Sequence, residues 1–280
     1  MSSPDFAAAR ARFRELHQSG CFVIPNPWDI GSARYLRHLG FPALATTSSG
    51  FAFSRGLPDG AWAVTLDMVL GHVADIAGSV DLPVNADFES GYARDAEGAA
   101  ANVRRCAAAG ASGLSLEDST GDPAHPLYDL PVALERLRAA KAALEGTGVM
   151  LTARAECFLT GHPDPLSEAV RRLQAYADAG ADVLYAPGLR DRAQIQTVVD
   201  AVRPKPVNVL MSWDGGLTVA DLAALGVRRI SVGSGLARAA WGGFLRAARS
   251  LAGSGSFTEF RDAASFADLN AFFAFDSKAD

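Results

Sequence analysis

Pro83-Val84-Asn85-Ala86-Asp87-Phe88-Glu89 is an apolar run that ends in acid. Two later stretches repeat the design, Gly113-Leu114-Ser115-Leu116-Glu117-Asp118 and Met150-Leu151-Thr152-Ala153-Arg154-Ala155-Glu156. Short, continuously apolar runs rich in leucine or β-branched residues suit parallel strands covered on both faces. Such strands deliver their last residues to one rim. Asp87, Glu117, Arg154 and Glu156 are therefore expected side by side.

Working outward, a helix, a glycine and an apolar strand recur. Gly40 precedes Ala43-Leu44-Ala45-Thr46-Thr47, Gly110 precedes Gly113-Leu114, Gly180 precedes Asp182-Val183-Leu184-Tyr185, and Gly226 precedes Arg229-Ile230-Ser231-Val232. A glycine there closes a helix in the left-handed conformation. Gly40, Gly110 and Gly180 stand 70 residues apart, or two units of about 35, the length of two βα units. Filling the gaps predicts eight strands, near 21–26, 43–48, 82–88, 113–118, 150–156, 182–187, 206–211 and 229–233. Helices fit near 30–39, 65–78, 95–109, 131–145, 165–179, 191–202, 218–225 and 235–251. Eight alternating units predict an α/β fold, a closed (β/α)8 or TIM barrel. An open doubly wound sheet would want a glycine fingerprint after its first strand, and Pro25-Asn26-Pro27-Trp28-Asp29 is not one.

The barrel is expected over residues 1–253, with a helical tail over 254–280 hinged at Gly253-Ser254-Gly255-Ser256. Phe257, Phe260, Phe266, Phe272, Phe273 and Phe275 crowd that tail. Wet aromatic surface is costly, so the tail should pack on its own barrel or, the preferred expectation, on a neighbouring subunit.

The chain has 280 residues, 49% of them hydrophobic, enough for one large core. With 26 basic and 31 acidic side chains well mixed, no basic stripe suggests nucleic acid. Cys21, Cys106 and Cys157 form neither a disulfide framework nor a zinc pattern. Residues 2–20 carry Arg10, Arg12, Arg14 and Glu15 and do not read as a signal peptide. No long uncharged apolar stretch suggests a membrane span. A cytoplasmic protein is expected.

Rim carboxylates repel one another unless protons or a cation intervene, and an all-oxygen set suits magnesium. Asp87 is the foremost metal candidate, with Glu117 beside it. Asp59, in the turn Leu57-Pro58-Asp59-Gly60, is placed to reach the ion through water. Arg154 cannot shed its charge, so it needs Glu117 or a substrate carboxylate as partner. Glu156 serves as acid–base group or as a rim salt bridge. Thr46-Thr47-Ser48-Ser49-Gly50 is either an ordinary turn or a cradle for carboxylate oxygens. The polar connection from Asp118 to Asp129 reads as a lid carrying His125 and Tyr128 as acid–base candidates. Gly215-Gly216 and Gly233-Ser234-Gly235 carry a weak phosphate-cradle signal.

Ser48-Ser49-Gly50, Gly56-Leu57-Pro58-Asp59, Asn85-Ala86-Asp87, Glu117-Asp118 and Ala153-Arg154, in that order, give the chain a resemblance to the isocitrate lyase and phosphoenolpyruvate mutase superfamily. It spans about Asn26 to Trp241. The resemblance implies a (β/α)8 barrel whose last helix is swapped between subunits of a homodimer or homotetramer, with magnesium and 2-oxo acids at its rim. It makes Asp87 the principal ligand, Asp59 and Glu117 assistants through water, and Ser48, Ser49, Gly50 and Arg154 the holders of the substrate carboxylate. Asn85 stands where the superfamily usually has an aspartate, keeping an acceptor oxygen but no charge.

Departures from the pattern narrow the reaction. Ser119-Thr120-Gly121-Asp122-Pro123-Ala124-His125 lacks the cysteine of the isocitrate and methylisocitrate lyase loop, and Tyr185-Ala186-Pro187-Gly188 lacks the expected glutamate. The leading expectation is a magnesium-dependent lyase or decarboxylase-like enzyme, not an authentic isocitrate lyase. It would cleave a C–C bond of a small 2-oxo acid or diacid through an enolate. The alternatives are a P–C mutase or hydrolase acting on a phosphonate, and a non-catalytic 2-oxo-acid binding protein.

Overall fold

The computed structural model describes residues 5–60 and 62–276. In chain order its elements are α1 (Phe6–Leu16), β1 (Phe22–Ile24), α2 (Ile30–His38), β2 (Leu44–Ala45), α3 (Ser48–Ser54), α4 (Leu66–Ser79), β3 (Val84–Asp87), α5 (Ala96–Ala108), β4 (Gly113–Glu117) and α6 (Leu130–Ala143). There follow β5 (Met150–Arg154), α7 (Pro165–Asp178), β6 (Val183–Tyr185), α8 (Arg192–Val202), β7 (Val207–Leu210), α9 (Val219–Ala224), β8 (Arg229–Ser231), α10 (Gly235–Ser254), a 3-10 turn (Thr258–Asp262) and α11 (Phe266–Asp276). All eight strands pair in parallel in the order β1-β8-β7-β6-β5-β4-β3-β2. One bond carries the ring across the remaining gap, Ala45 N–H donating to Pro25 O at 3.0 Å. The alternating pattern thus yields an eight-stranded barrel. Each predicted strand falls on an observed one, shorter by a residue or more.

The repeat is explained by its glycines: Gly40, Gly110, Gly180 and Gly226 have φ of 83, 104, 97 and 85°. That left-handed turn ends each helix and lets the next strand begin within a few residues.

Alternate strand residues face opposite ways, and the two sets differ in chemistry. Ala86, Leu114, Leu116, Leu151, Ala153, Leu184, Val207, Val209 and Ile230 join the apolar layer beneath the helices. Asn85, Asp87, Ser115, Arg154, Tyr185, Asn208, Arg229 and Ser231 line the interior. The bottom is sealed by α1, absent from the sequence reading because only Phe6, Phe13 and Leu16 mark its apolar side. Asp5 caps it by accepting the Ala7 and Ala8 N–H groups at 3.0 Å each. Phe13, fully buried, plugs the barrel with Phe22, Ile24, Ala43, Met150 and Val183. A Cβ on Gly113 would stand 2.6 Å from that ring, so glycine opens this strand for want of room. With the bottom closed, the cavity reaches up to residues at and beyond the strand ends, among them Ser48, Asp59, Ser212 and Arg238.

The break after α10 falls at Gly255, whose φ is 69°. Within the chain α11 lies back on α2. Phe272 sits edge-on to Tyr35 and to His38, with ring centres 5.1 Å apart in both pairs, and Asp276 pairs with Arg37 and, at 3.6 Å, with Arg34. Much apolar surface on α10 and beyond stays uncovered, with Phe244 58%, Phe257 67%, Phe266 85% and Phe275 71% exposed. No helix among the described residues is long and apolar enough to cross a membrane.

Candidate active site

Strand register brings the rim residues together. Asp87 pairs with Ser115, Glu117 with Arg154, and Arg154 with Tyr185 across neighbouring strands. Arg154 is the hub. Its Nη1 lies 3.3 Å from Asp87 Oδ1 and 3.3 Å from Glu117 Oε2, and its Nε donates to Glu156 Oε1. The guanidinium carbon stands 5.3 Å from the Tyr185 ring centre.

One buried arginine thus faces three carboxylates. Burial raises the Glu117 pKa well above its ordinary value, and that of Glu156 as well, with Arg154 pulling both down. Burial alone would lower the Arg154 pKa, but Glu156 and Glu117 override it and hold the guanidinium firmly charged. Crowding around one cation also makes the carboxylates repel one another, which favours the protonated form of each.

Asp87 is fixed from several sides. Its Oδ2 accepts the Ser48 N–H at 3.0 Å, and its own N–H donates to Thr46 Oγ1 at 2.9 Å. Asp59 stands nearby; burial first and Asp87 second raise its pKa, while Arg154 and the Ser48 hydroxyl oppose them. Ser48, Ser49 and Gly50, read from sequence as a turn or cradle, form the first turn of α3. Thr47 caps it, accepting the Gly50 N–H at 3.3 Å. The Ser48 and Gly50 amides are therefore already engaged, and Ser48 and Ser49 line the cavity. Gly50 lies behind them, where a Cβ would come within 2.6 Å of Thr47 Cγ2.

The cavity holds about 370 Å³, room for roughly a dozen waters at about 30 Å³ each, or for a small diacid and a few waters. Asn85 lines it deeper than Asp87. Its Nδ2 donates to Ala86 O at 3.2 Å, while its buried Oδ1 has no partner. Among the described residues no group of three or more His, Cys, Asp or Glu could hold a metal ion. Asp87, Asp59 and Asn85 nonetheless line one cavity and offer oxygen donors. That set fits magnesium, which takes one or two carboxylates and keeps its waters, better than zinc.

The lid candidates lie elsewhere. A bridge between Ser119 and Leu127 folds the loop back on itself, and His125 is exposed beside Asp122 at 3.6 Å. His125 and Tyr128 line a separate surface groove with Thr160, His162 and Arg172. The Tyr128 ring packs 4.6 Å from the guanidinium of Arg136, which itself donates to the Ser90, Ala93 and Arg94 carbonyls. Asp118 turns outward, taking the Tyr176 hydroxyl at 2.6 Å and Arg172 Nη1 at 3.0 Å. Gly233 does not offer a free amide, since its N–H donates to Asn26 Oδ1 at 2.9 Å.

Several lining residues went unread in the sequence: Tyr185, Asn208, Arg229 and Ser231. In β8 their signal is a polar residue on either side of Ile230, whereas in β6 and β7 it is a single polar residue, Tyr185 or Asn208, in an otherwise apolar strand. Glu89 also gains a setting that sequence hides. It takes the Tyr92 hydroxyl at 2.6 Å, and both residues hold left-handed backbones, φ 43 and 53°. Burial raises the Glu89 pKa to about 7.

A family model for phosphoenolpyruvate phosphomutase matches residues 13–252. An uncharacterised protein of Mycobacterium tuberculosis (strain H37Rv) is 36% identical, over 79% of this chain and 81% of its own length. Oxaloacetate decarboxylase of Paraburkholderia xenovorans (strain LB400) is 30% identical, over 80% and 75%. A crystal structure from Burkholderia cenocepacia J2315, named provisionally as a lyase/mutase, superposes with a TM-score of 0.92 at 48% identity, covering 96% of this chain and 97% of that one. The chain belongs to the phosphoenolpyruvate phosphomutase family, within the superfamily shared with isocitrate lyase.

Proposed function

We propose that the chain is a lyase or decarboxylase-like enzyme that cleaves a C–C bond of a small 2-oxo acid or diacid through an enolate. The observation that carries this reading is Arg154 lining a closed-bottom cavity at the rim, charged and braced by Asp87, Glu117 and Glu156. Kinship with oxaloacetate decarboxylase supports it. Arg154 Nη2, outside those three contacts, is directed to the substrate carboxylate, joined by the Ser48 and Ser49 side chains. Negative charge developing on the substrate meets a fixed guanidinium in a site of low dielectric, where it counts for more than in water. Tyr185 lines the same cavity, and burial pushes its phenol up to about 12, so it stays protonated and can return a proton to carbon. Glu156 orients Arg154. His125 and Tyr128 act only if residues 119–129 refold over the mouth.

Asp87 and Asp59, with Asn85 below them, would hold magnesium, which when bound supplies a Lewis acid for the 2-oxo group. The charge missing at Asn85 lowers the expected affinity. Without the loop cysteine and the glutamate after β6, authentic isocitrate lyase activity is not expected. The test is a panel of 2-oxo diacids, malate derivatives and phosphonopyruvate, each with magnesium and with chelator. In Asp87→Ala, magnesium-dependent binding of oxalate should vanish; unaltered magnesium affinity there would remove Asp87 from the site.

A second reading, P–C chemistry on a phosphonate, gains from cationic and hydroxyl groups that the sequence alone left scattered: Arg229, Arg238, Ser212 and Ser234 line the same cavity. Turnover of phosphonopyruvate but of no 2-oxo diacid would select it.

We also propose a cytoplasmic homodimer or homotetramer. Three free thiols suit a reducing compartment. The uncovered face of α10, the 3-10 turn and α11 suits a second copy better than water. Deleting residues 254–280 should yield a smaller species in sedimentation velocity; an unaltered profile would give the tail no part in assembly.

A further inference from the structure

Arg229 opens β8 and points into the barrel at its floor, only 3% exposed. The side chains it touches are neutral. Its Nε donates to Asn208 Oδ1 at 2.8 Å and its Nη2 to Thr152 Oγ1 at 3.1 Å, while His17 Nε2 lies 3.5 Å from Nη1. Burial and Arg229 together push His17 down to about 3, so that ring is uncharged at neutral pH. Among the described residues no carboxylate forms an ion pair with Arg229. Burial lowers its own pKa only to about 10, leaving it a cation.

A buried charge without a counter-ion is among the costliest features a core can carry. Methionine would fill such a place at less expense, so the charge needs a use. The cavity supplies one, since Arg229 and Arg154 line the same space. Thr152, the Nη2 partner, sits two residues below Arg154 on β5, or about 7 Å along the strand. The two cations thus stand at different depths of one cavity, as the two acid groups of a single ligand require.

We propose that Arg229 is the anchor for a second anionic group, carboxylate or phosphonate, at the cavity floor, and that it selects dianionic over monoanionic ligands. The mouth-to-floor orientation of the ligand rests on the role given to Arg154 above; the floor site itself does not.

Propionate, succinate and 3-phosphonopropionate share one skeleton and react with nothing here, so they are the probes for isothermal titration. Wild type should bind at least one dianion about tenfold or more tighter than propionate. Succinate leading identifies carboxylate as the natural group, and 3-phosphonopropionate leading identifies phosphonate. Arg229→Met should erase the preference, leave propionate binding unchanged and melt no lower than wild type. No preference in wild type, or a preference that survives in folded Arg229→Met, overturns the proposal. Should Arg229→Met not fold, Arg238→Met decides, because Arg238 is the other cation on β8's side of the cavity. Retention of the preference there supports the floor site, and its loss moves the selectivity to the rim and overturns the proposal. Dianion binding through Arg229 without turnover of any 2-oxo acid or diacid would sink the proposed function and leave the anchor standing. Turnover unaffected by Arg229→Met would do the reverse.

Discussion

Arg154→Met should lower kcat/KM about a hundred- to a thousandfold, the usual loss when one fixed donor to developing charge is removed. It should also destabilise the fold. Asp87, Glu117 and Glu156 would face one another without their common cation, and breaking a buried pair costs about 3–5 kcal/mol. For a chain of this size that is a fall of roughly 5–9 °C in melting temperature. The penalty carries a pH signature. Glu117 and Glu156 already have raised pKa values from burial, with Arg154 as the largest opposing influence. Removing it raises them further. A carboxyl whose folded pKa lies above its unfolded value loses stability as pH rises through the folded pKa, so the variant should suffer most at pH 8 and least near pH 4. Arg154→Lys should recover part of the stability and little of the rate, since a point charge cannot replace a fork. Equal melting curves for wild type and Arg154→Met across that range would mean the three carboxylates are not held together by this arginine.

The hub was readable because it sits where the sequence pattern is strongest. Asp87, Glu117 and Arg154 each end an apolar run, and parallel pairing turns that shared position into contact. The glycine repeat predicted the barrel for a comparable reason: a left-handed helix end is a local demand that sequence records directly. The floor was not readable. Arg229 follows Arg228 in a charged pair before a short strand, and only the barrel's closure decides which of the two turns inward. Arg228 remains at the surface, donating to Gly20 O, while Arg229 crosses the interior to Thr152. His125 and Tyr128 illustrate the opposite case. Sequence marked a polar loop over the rim, but the bridge from Ser119 to Leu127 and the seat of Tyr128 on Arg136 give its residues other partners. No local pattern reveals where a loop of that length comes to rest. The tail is intermediate: its aromatic excess was plain, whereas its return to α2 depends on Asp276 meeting Arg37 across the fold.

Glu89→Gln should stabilise the metal-free protein at pH 8 and leave it unchanged near pH 4. Burial is the chief cause that lifts the Glu89 pKa to about 7, with Asp87 and Asp59 adding to it and the Tyr92 hydroxyl opposing. In the unfolded chain the same carboxyl titrates near its ordinary value. Between those two pKa values the folded form holds a proton that the unfolded form has released, so wild-type stability falls as pH rises through that window and is level above it. A shift from 4.5 to about 7 corresponds to about 3 kcal/mol. Glutamine keeps an acceptor for the Tyr92 hydroxyl and carries no titrating proton, so its curve should lack the decline. Chemical unfolding at several pH values in chelator measures the difference directly, and parallel curves for the two proteins would show that Glu89 is not held in a protonated state. The same comparison with magnesium present reads the site from its other side. A cation at Asp87 and Asp59 favours the ionised carboxyl, lowers the pKa of Glu89 and should narrow the gap between the two proteins at pH 8.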